Sequence, residues 1–125
     1  MREFKFKAWI PIFDEMREVA SIDFTSDTLK IKGDDTLFNF NDSFAESFDT
    51  ARLMQYTGLK DCKEREIYEN DILKLPSGKI TAVSFMFGSF CYDEDFTTNL
   101  CNINANSEII GNTYENAYLL DKKGE

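Results

Sequence analysis

The chain of 125 residues contains no histidine. Ser-His and Cys-His catalytic pairs are therefore excluded, and so are metal sites with histidine ligands. The 23 aspartate and glutamate residues leave carboxylate chemistry formally open. With so many carboxylates, a pair within catalytic range carries little weight until its geometry is known.

Cysteine is also scarce, and the spacing of the cysteines matches neither a disulfide framework nor a structural zinc site. The three cysteines are Cys62, Cys91 and Cys101. An odd number at wide intervals does not predict a set of disulfides, and the C-x-x-C pairs of structural zinc sites are missing. We expect free thiols in a reducing cytoplasm.

Long apolar stretches are missing from the sequence as well. No run approaches the ~20 apolar residues that span a bilayer. The first residues alternate charged side chains with phenylalanine, which is unlike the apolar centre of a secretory signal. These patterns predict a cytoplasmic protein without a membrane partner.

Basic residues are outnumbered, with 14 lysines and arginines against 23 acidic residues and a net charge of −9. No cluster of basic residues is visible along the sequence, so we do not expect non-specific nucleic-acid binding. An acidic surface commonly serves solubility. The alternative is that the acidity imitates the charge of a nucleic acid.

The patterns that are present are those of short strands. Alternation of apolar and polar residues over residues 4–9, 19–24 and 28–32 predicts half-buried strands. Turn residues separate further candidates, which predicts a mainly β protein. Those further strands are expected over residues 36–40, 53–56, 67–68, 72–75, 80–87, 90–92 and 109–110.

Two short helices complete the expectation. One is predicted to begin at Asp42 or Ser43, which could cap it, with Phe44 and Phe48 on one face. The other is predicted over residues 114–120. The phenylalanine-rich region 37–48 has two open interpretations, core packing or an exposed contact surface.

Three segments carry a resemblance to a known family. They read R-E-F-K-F-K-A-W at residues 2–9, L-M-Q-Y-T-G-L-K-D-C-K-E-R-E-I-Y-E-N-D-I-L-K-L at 53–75, and E-I-I-G-N-T-Y-E-N-A-Y-L-L at 108–120. The sequence resembles the YopX family, small proteins common in bacteriophages and prophages. The resemblance implies a bacterial host cell and a small SH3-like barrel with peripheral strands and one or two short helices. It implies no biochemical activity, because none is established for the family.

The sequence departs from the family pattern at two turns. The family places glycine where this chain has Glu64 and Asn70. Glycine at such positions permits a positive φ, which asparagine tolerates better than other residues do. We therefore expect the turn at Asn70 to be kept, and the turn at Glu64 to be longer, strained or disordered.

The three family segments are expected to meet in one domain spanning residues 1–125. Residues 53–125 would form the signature half of the barrel, and residues 13–52 an acidic, phenylalanine-rich addition at its periphery. One core is predicted, with nine apolar members: Phe4, Phe6, Leu53, Ile67, Ile72, Ile80, Val83, Ile109 and Ile110.

Exposed aromatic side chains are the obvious candidates for a contact surface, because they give large contact areas at low entropic cost. The alternative is that the same aromatics anchor the core with one polar atom at the surface. The predicted interaction surface comprises six residues of the family segments: Trp9, Tyr56, Tyr68, Asp71, Tyr114 and Asn116.

Residues 53–75 are called the signature, and four of its carboxylates lie around its turns: Asp61, Glu66, Glu69 and Asp71. They could bind a hard cation such as calcium or magnesium, although the regular spacing of an oxygen-ligand loop is missing. Bonds from such side chains to the backbone amides of turns are commoner. We expect no metal and no cofactor.

The function predicted from the sequence is that of a phage- or prophage-encoded, non-catalytic protein-interaction module with an unknown protein partner. One alternative is an acidic inhibitor that mimics nucleic acid and blocks a DNA-processing protein. A carboxylate-dependent hydrolase is the weakest alternative, because no nucleotide or nucleophile motif is present. A homo-oligomer is left open.

Overall fold

The computed structural model describes residues 4–11, 13–32, 43–47, 51–86, 88–92 and 98–122. These residues form antiparallel strands joined by short turns, so the prediction of a mainly β protein is confirmed. The contacts divide the chain into two compact units, one over Phe4–Gln55 and the other from Tyr56 onward. Among the described residues, no helix is long and apolar enough to cross a membrane.

The first unit is an antiparallel sheet in the order β4-β3-β2-β1-β5. Two hairpin turns join β1 to β2 and β2 to β3, and each contains an aspartate at positive φ, Asp14 at 54° and Asp27 at 57°. Aspartate visits this region more readily than most residues, which suits it to tight turns. The strands are β1 Phe6–Ile10, β2 Glu15–Asp23, β3 Thr28–Lys32, β4 Ser43–Ser47 and the first residues of β5 Arg52–Lys60.

One face of this sheet carries the core of the first unit. Strand periodicity sends alternate residues to this face, and its central members are almost completely inaccessible to solvent. Burying a large aliphatic side chain stabilises the fold by roughly 1.5–3 kcal/mol. The core comprises Ala8, Ile10, Leu29, Ile31 and Ala51, with Val19, Ile22 and Leu53 packed against it.

Two sequence predictions for this unit are wrong. Phe4 was expected in the core but is 67% exposed, because β1 begins only at Phe6 and Phe4 lies outside the paired ladder. The helix expected from Asp42 or Ser43 is replaced by β4, which pairs with all of β3 from Lys32↔Ser43 to Thr28↔Ser47. Pairing along a whole strand satisfies many backbone groups, which outweighs a local capping signal in a short segment. Residues 36–40 and Phe48 lie outside the described residues.

The second unit contains two three-stranded sheets, ordered β12-β7-β8 and β11-β10-β9, and β6 paired with the end of β5. Three 3-10 helices lie over Leu100–Asn102, Asn104–Asn106 and Ala117–Lys122. The last of these overlaps the helix predicted over residues 114–120 only from residue 117 onward, and the predicted helix is therefore not confirmed. The strands are β6 Glu66–Tyr68, β7 Asp71–Lys74, β8 Ile80–Ala82, β9 Ser84–Met86, β10 Ser89–Tyr92, β11 Thr98–Asn99 and β12 Glu108–Asn112.

The second unit has a core of its own, formed by Ile67, Leu73, Leu75, Val83, Tyr92 and Leu100. The nine residues predicted to share one core are therefore divided, since Leu53 packs in the first unit and Ile67 and Val83 pack in the second. The described strands form open sheets and no closed barrel, so the SH3-like barrel is not confirmed. The assignment of residues 1–125 to a single domain stays a prediction.

Strand β5 also runs further than the sequence predicted. The sequence predicted a strand over residues 53–56, but the strand continues to Lys60 and its register with β6 shifts between Tyr56 and Lys60. Gly58 lies in this irregularity at a φ of 86°, where a residue with a side chain would be strained. The glycine of the signature thus serves a bulge within a strand, and the turn begins at Asp61.

Candidate functional site

The carboxylate of Asp61 is the centre of the signature loop. It is 4% exposed and accepts four N–H hydrogen bonds within its own loop and from β12. Oδ1 accepts from the backbone N–H of Lys63 at 3.0 Å and of Arg65 at 2.9 Å. Oδ2 accepts from the backbone N–H of Ile109 at 3.0 Å and from Nε of Arg65 at 3.1 Å. Asp61 therefore fixes both the turn and the position of β12.

The electrostatics around Asp61 favour its charged form. Burial alone would raise its pKa, but the hydrogen bonds from Ile109, Arg65 and Lys63 outweigh burial and lower the pKa below its usual value of 3.8. The Arg65 guanidinium also donates to the carbonyl oxygen of Ile109 at 2.8 Å. One exposed ion pair, Lys63 Nζ to Glu108 Oε2 at 2.8 Å, joins the same two segments.

Two tripeptides of identical sequence, Tyr68-Glu69-Asn70 and Tyr114-Glu115-Asn116, are brought together in the second unit. The carbonyl oxygen of Asn70 accepts from the backbone N–H of Thr113 at 2.9 Å, and Nδ2 of Asn70 donates to the hydroxyl of Tyr114 at 3.3 Å. Asn70 has a φ of 71°. The expected positive φ at this family glycine position is therefore present.

Tyr68 and Asp71 form the buried side of this junction. Oδ2 of Asp71 accepts from the backbone N–H of Tyr68 at 2.7 Å and so closes the turn between β6 and β7. The Tyr68 ring lies 5.5 Å from the ring of Tyr56, centroid to centroid. Tyr56 and Tyr68 are only 6% and 5% exposed. This placement agrees with the alternative that these aromatics anchor the core.

Asn116 closes the second of the two turns. Its Oδ1 accepts from the backbone N–H of Asn112 at 3.2 Å. A Cβ atom added at Gly111 would lie 2.5 Å from that Oδ1, so the close approach requires glycine. Tyr114 and Asn116 are half-buried, and both belong to the hydrogen-bonded junction.

The polar residues of the signature thus act mainly on the protein's own backbone. Asp61 and Asp71, two of the four carboxylates considered as cation ligands, bind backbone amides. Within the described residues, no group of three or more Cys, Asp or Glu side chains could hold a metal ion. This arrangement agrees with the alternative of carboxylates that bond turn amides.

Trp9, the remaining predicted contact residue, lies in the first unit on the face of the sheet opposite its core. It is half-buried, and its cross-strand partners are Met16 on β2 and Arg52 on β5. Arg52 is exposed. Directly opposite residues in an antiparallel pair share one face, so an aromatic, an apolar and a cationic side chain form one row.

A further apolar surface was missed by the sequence predictions. Phe85 and Met86 on β9 are 49% and 38% exposed. The Phe85 ring packs edge-to-face on the Phe90 ring, with 4.9 Å between the ring centroids. Strand β9 pairs with β10, and no other described strand pairs with it. The sequence predicted one strand over residues 80–87, whereas the chain forms β8 and β9 on either side of Val83, in different sheets. No local signal in the sequence marks that break.

One comparison with known proteins shows the family of this chain. The model of the YopX protein family matches residues 5–121. A solved structure, that of protein EF1440 from Enterococcus faecalis, is similar with a TM-score of 0.69 and 28% sequence identity. The similarity covers 96% of this chain and 99% of that one. No curated protein matches the sequence significantly. The family match spans nearly the whole chain, so the chain belongs to the YopX family.

Proposed function

We propose that this YopX family protein is a phage- or prophage-encoded, non-catalytic module that binds another protein in the bacterial cytoplasm. The observation that carries the proposal is the apolar surface of β9, where Phe85 and Met86 are exposed on a strand at the edge of its sheet. Exposed apolar side chains at a sheet edge are typical of surfaces that receive a partner strand.

The lowered pKa and the hydrogen bonds of Asp61 support a non-catalytic role. Catalytic carboxylates commonly have a pKa raised toward neutrality so that they can carry a proton at physiological pH. The pKa of Asp61 is lowered instead, and its oxygens accept hydrogen bonds from backbone amides. Asp61 is therefore suited to holding the loop in place.

The geometry of β9 supports a partner that adds a strand. Ser84, Phe85 and Met86 pair with Cys91, Phe90 and Ser89 of β10 along one edge. A partner strand on the opposite edge would gain backbone hydrogen bonds, while Phe85 and Met86 would add apolar contact. The SH3-like barrel predicted from the family resemblance is a further part of the proposal, and its closure would limit such edges to few positions.

The test is capture of a partner from host lysate by the tagged protein, identified by mass spectrometry. The double variant Phe85→Ser/Met86→Ser should lose the captured protein. The matched control Tyr118→Ser, which removes another exposed aromatic of the second unit, should keep it. Thermal melts of both variants check that they fold.

The outcomes separate the proposal from its alternatives. Capture that is lost only in the β9 variant supports the interaction module. Capture of a DNA-processing protein that both variants retain and that duplex DNA displaces would favour the charge-mimicking inhibitor. If no protein is captured, or if both variants capture it as well as the wild type, β9 is not the contact surface.

A further inference from the structure

We propose that the first unit binds a short acidic peptide segment through the face of its sheet that lies opposite the core. This surface is called the cationic face below, and it is separate from β9. The proposal does not rest on the contact surface proposed for β9. The cationic face comprises Lys7 and Trp9 on β1, Lys30 and Lys32 on β3, and Arg52 on β5.

The register of the sheet assembles this face from distant parts of the chain. Lys7 lies opposite Glu18 on one side and Met54 on the other, and Trp9 lies opposite Arg52. Lys30 lies opposite Ser21, so it faces the side of the sheet away from the buried pair Ile22↔Leu29. Lysines two residues apart in a strand share a face. Strand pairing therefore collects cations that look scattered in the sequence.

The charge of this face is opposite to that of the protein. The chain has a net charge of −9. On the cationic face, four cations stand against two acidic residues, Glu18 and Asp23, at the paired positions of β2. Lys30, Lys32 and Arg52 are exposed. A cationic surface on an acidic protein offers charge complementarity to an anionic partner, and this complementarity gives specificity and speeds association.

A short peptide fits this face better than a nucleic acid does. Charges interact over a Debye length of about 8 Å at physiological ionic strength. A peptide held on the cationic face lies mainly within reach of its lysines and arginine. A duplex carries one negative charge per about 1.7 Å and extends far beyond the face, so the four cations would match only a short run of its charges.

Trp9 would contact an apolar residue of the peptide, and its fluorescence would report the binding. Trp9 and Met16 are half-buried neighbours on the cationic face, beside exposed Arg52. Met54 on the same face is 1% exposed, so Arg52 is the part of β5 that a ligand would contact, and the ligand would otherwise lie over β1, β2 and β3. Trp9 is the single tryptophan of the chain. A bound peptide with an apolar residue should change its fluorescence.

The experiment is a fluorescence titration of the full chain with a synthetic peptide of alternating Asp and Glu around a central Leu, blocked at both ends. The variant Lys30→Gln/Lys32→Gln removes two charges from the cationic face. The control Lys60→Gln/Lys74→Gln removes two exposed charges from the second unit. We expect saturable binding that weakens as salt rises, with about a tenfold loss in the first variant and less than about twofold in the control.

Each other outcome would overturn the proposal. No saturable change in tryptophan fluorescence would show that the peptide does not bind. Equal weakening in both variants would show a response to net charge and not to this face. Tighter binding of single-stranded oligothymidylate, or of a lysine-containing peptide of the same length, would assign the face to a different ligand. A blank response with a rise in molecular mass on light scattering would indicate self-association instead.

Discussion

The backbone N–H of Ile109 donates a hydrogen bond to Oδ2 of Asp61, 3.0 Å away and 48 residues earlier in the chain. The same carboxylate holds the turn that follows it through the backbone N–H groups of Lys63 and Arg65. A single side chain thus joins the central and C-terminal segments that carry the family resemblance. This arrangement gives a structural reason for the aspartate of the signature.

The substitution Asp61→Asn should destabilise the protein by about 1–3 kcal/mol, because an amide cannot accept at both positions as a carboxylate does. Its NH2 group would face the N–H groups that now donate to the carboxylate. Chemical denaturation followed by circular dichroism measures the change. Glu18→Gln, at an exposed strand position of the first unit, is the control and should change little. Equal stabilities of Asp61→Asn and the wild type would contradict the structural role.

The stability of the protein should fall at acid pH in part through Asp61. Its pKa is lowered in the folded protein, so its contribution is complete above the usual value of 3.8 and is lost as pH falls further toward the folded pKa. The pKa of Asp23 is also lowered, mainly by the hydrogen bond from the backbone N–H of Thr25, so Asp23 adds to the loss of stability at acid pH. Melting temperatures measured from pH 6 down to about pH 2 should therefore fall less steeply in Asp61→Asn than in the wild type. Parallel curves would show that Asp61 is not involved.

The strained turn at Glu64 should be relieved by the residue that the family usually has there. Glu64 has a φ of 62°, and its backbone N–H donates to the carbonyl oxygen of Asp61 at 2.9 Å. Glu64→Gly should stabilise the protein by about 0.5–1 kcal/mol, because relief of the strain exceeds the added entropy of the unfolded chain. Cys62→Gly in the same turn, where φ is not positive and the side chain is exposed, is the control and should lower the melting temperature. A lower melting temperature for Glu64→Gly would show that its side chain makes a needed contact.

The sequence predicted the strand content well wherever periodicity or turn residues decide it. Strand β3 occupies the predicted residues Thr28–Lys32, and the turn at Asn70 has the expected positive φ. Strand β4 was missed because its pairing with β3 is a tertiary effect that a capping signal conceals. The break at Val83 and the two separate cores were missed for the same reason, since no local pattern records which sheet a strand joins.

The candidate site was predictable only in part. Tyr68 and Asp71 were predicted to belong to an interaction surface, and in the structure they lie together at the turn between β6 and β7. The sequence cannot distinguish an aromatic that binds a partner from one that anchors a core. In this protein the side chains of Tyr68 and Asp71 are both buried. The cationic face is the reverse case, because strand pairing places Lys7, Lys30 and Arg52 together although they are far apart along the chain.

The turn at Asn70 should tolerate glycine but not alanine. Asn70→Gly keeps the φ of 71° without strain but removes the 3.3 Å bond from Nδ2 to the hydroxyl of Tyr114, so the change in stability should stay within about 0.5 kcal/mol. Asn70→Ala removes the bond and adds strain, and it should cost about 1 kcal/mol or more. Thermal and urea denaturation of both variants measure this. An Asn70→Gly variant less stable than Asn70→Ala would show that the asparagine side chain, and not its φ, is required.

The close approach of Gly111 and Asn116 should appear as an energetic coupling. Gly111→Ala places a Cβ atom 2.5 Å from Oδ1 and 2.9 Å from Cβ of Asn116, which should cost about 1–3 kcal/mol through strain and displacement of the turn. Asn116→Gly should cost about 1 kcal/mol, because it removes the bond from the N–H of Asn112.

The double variant Gly111→Ala/Asn116→Gly distinguishes a local clash from a general loss of stability. Asn116→Gly removes the three atoms that would lie nearest to the new Cβ, so the alanine should cost much less in that background. The coupling free energy in the double-mutant cycle should then lie within about 0.5–3 kcal/mol. Gly78→Ala is the control, because an added Cβ there meets no atom within 4 Å, and its cost from a φ of 92° should not depend on Asn116. Additive effects of Gly111→Ala and Asn116→Gly would contradict the close contact between the two residues.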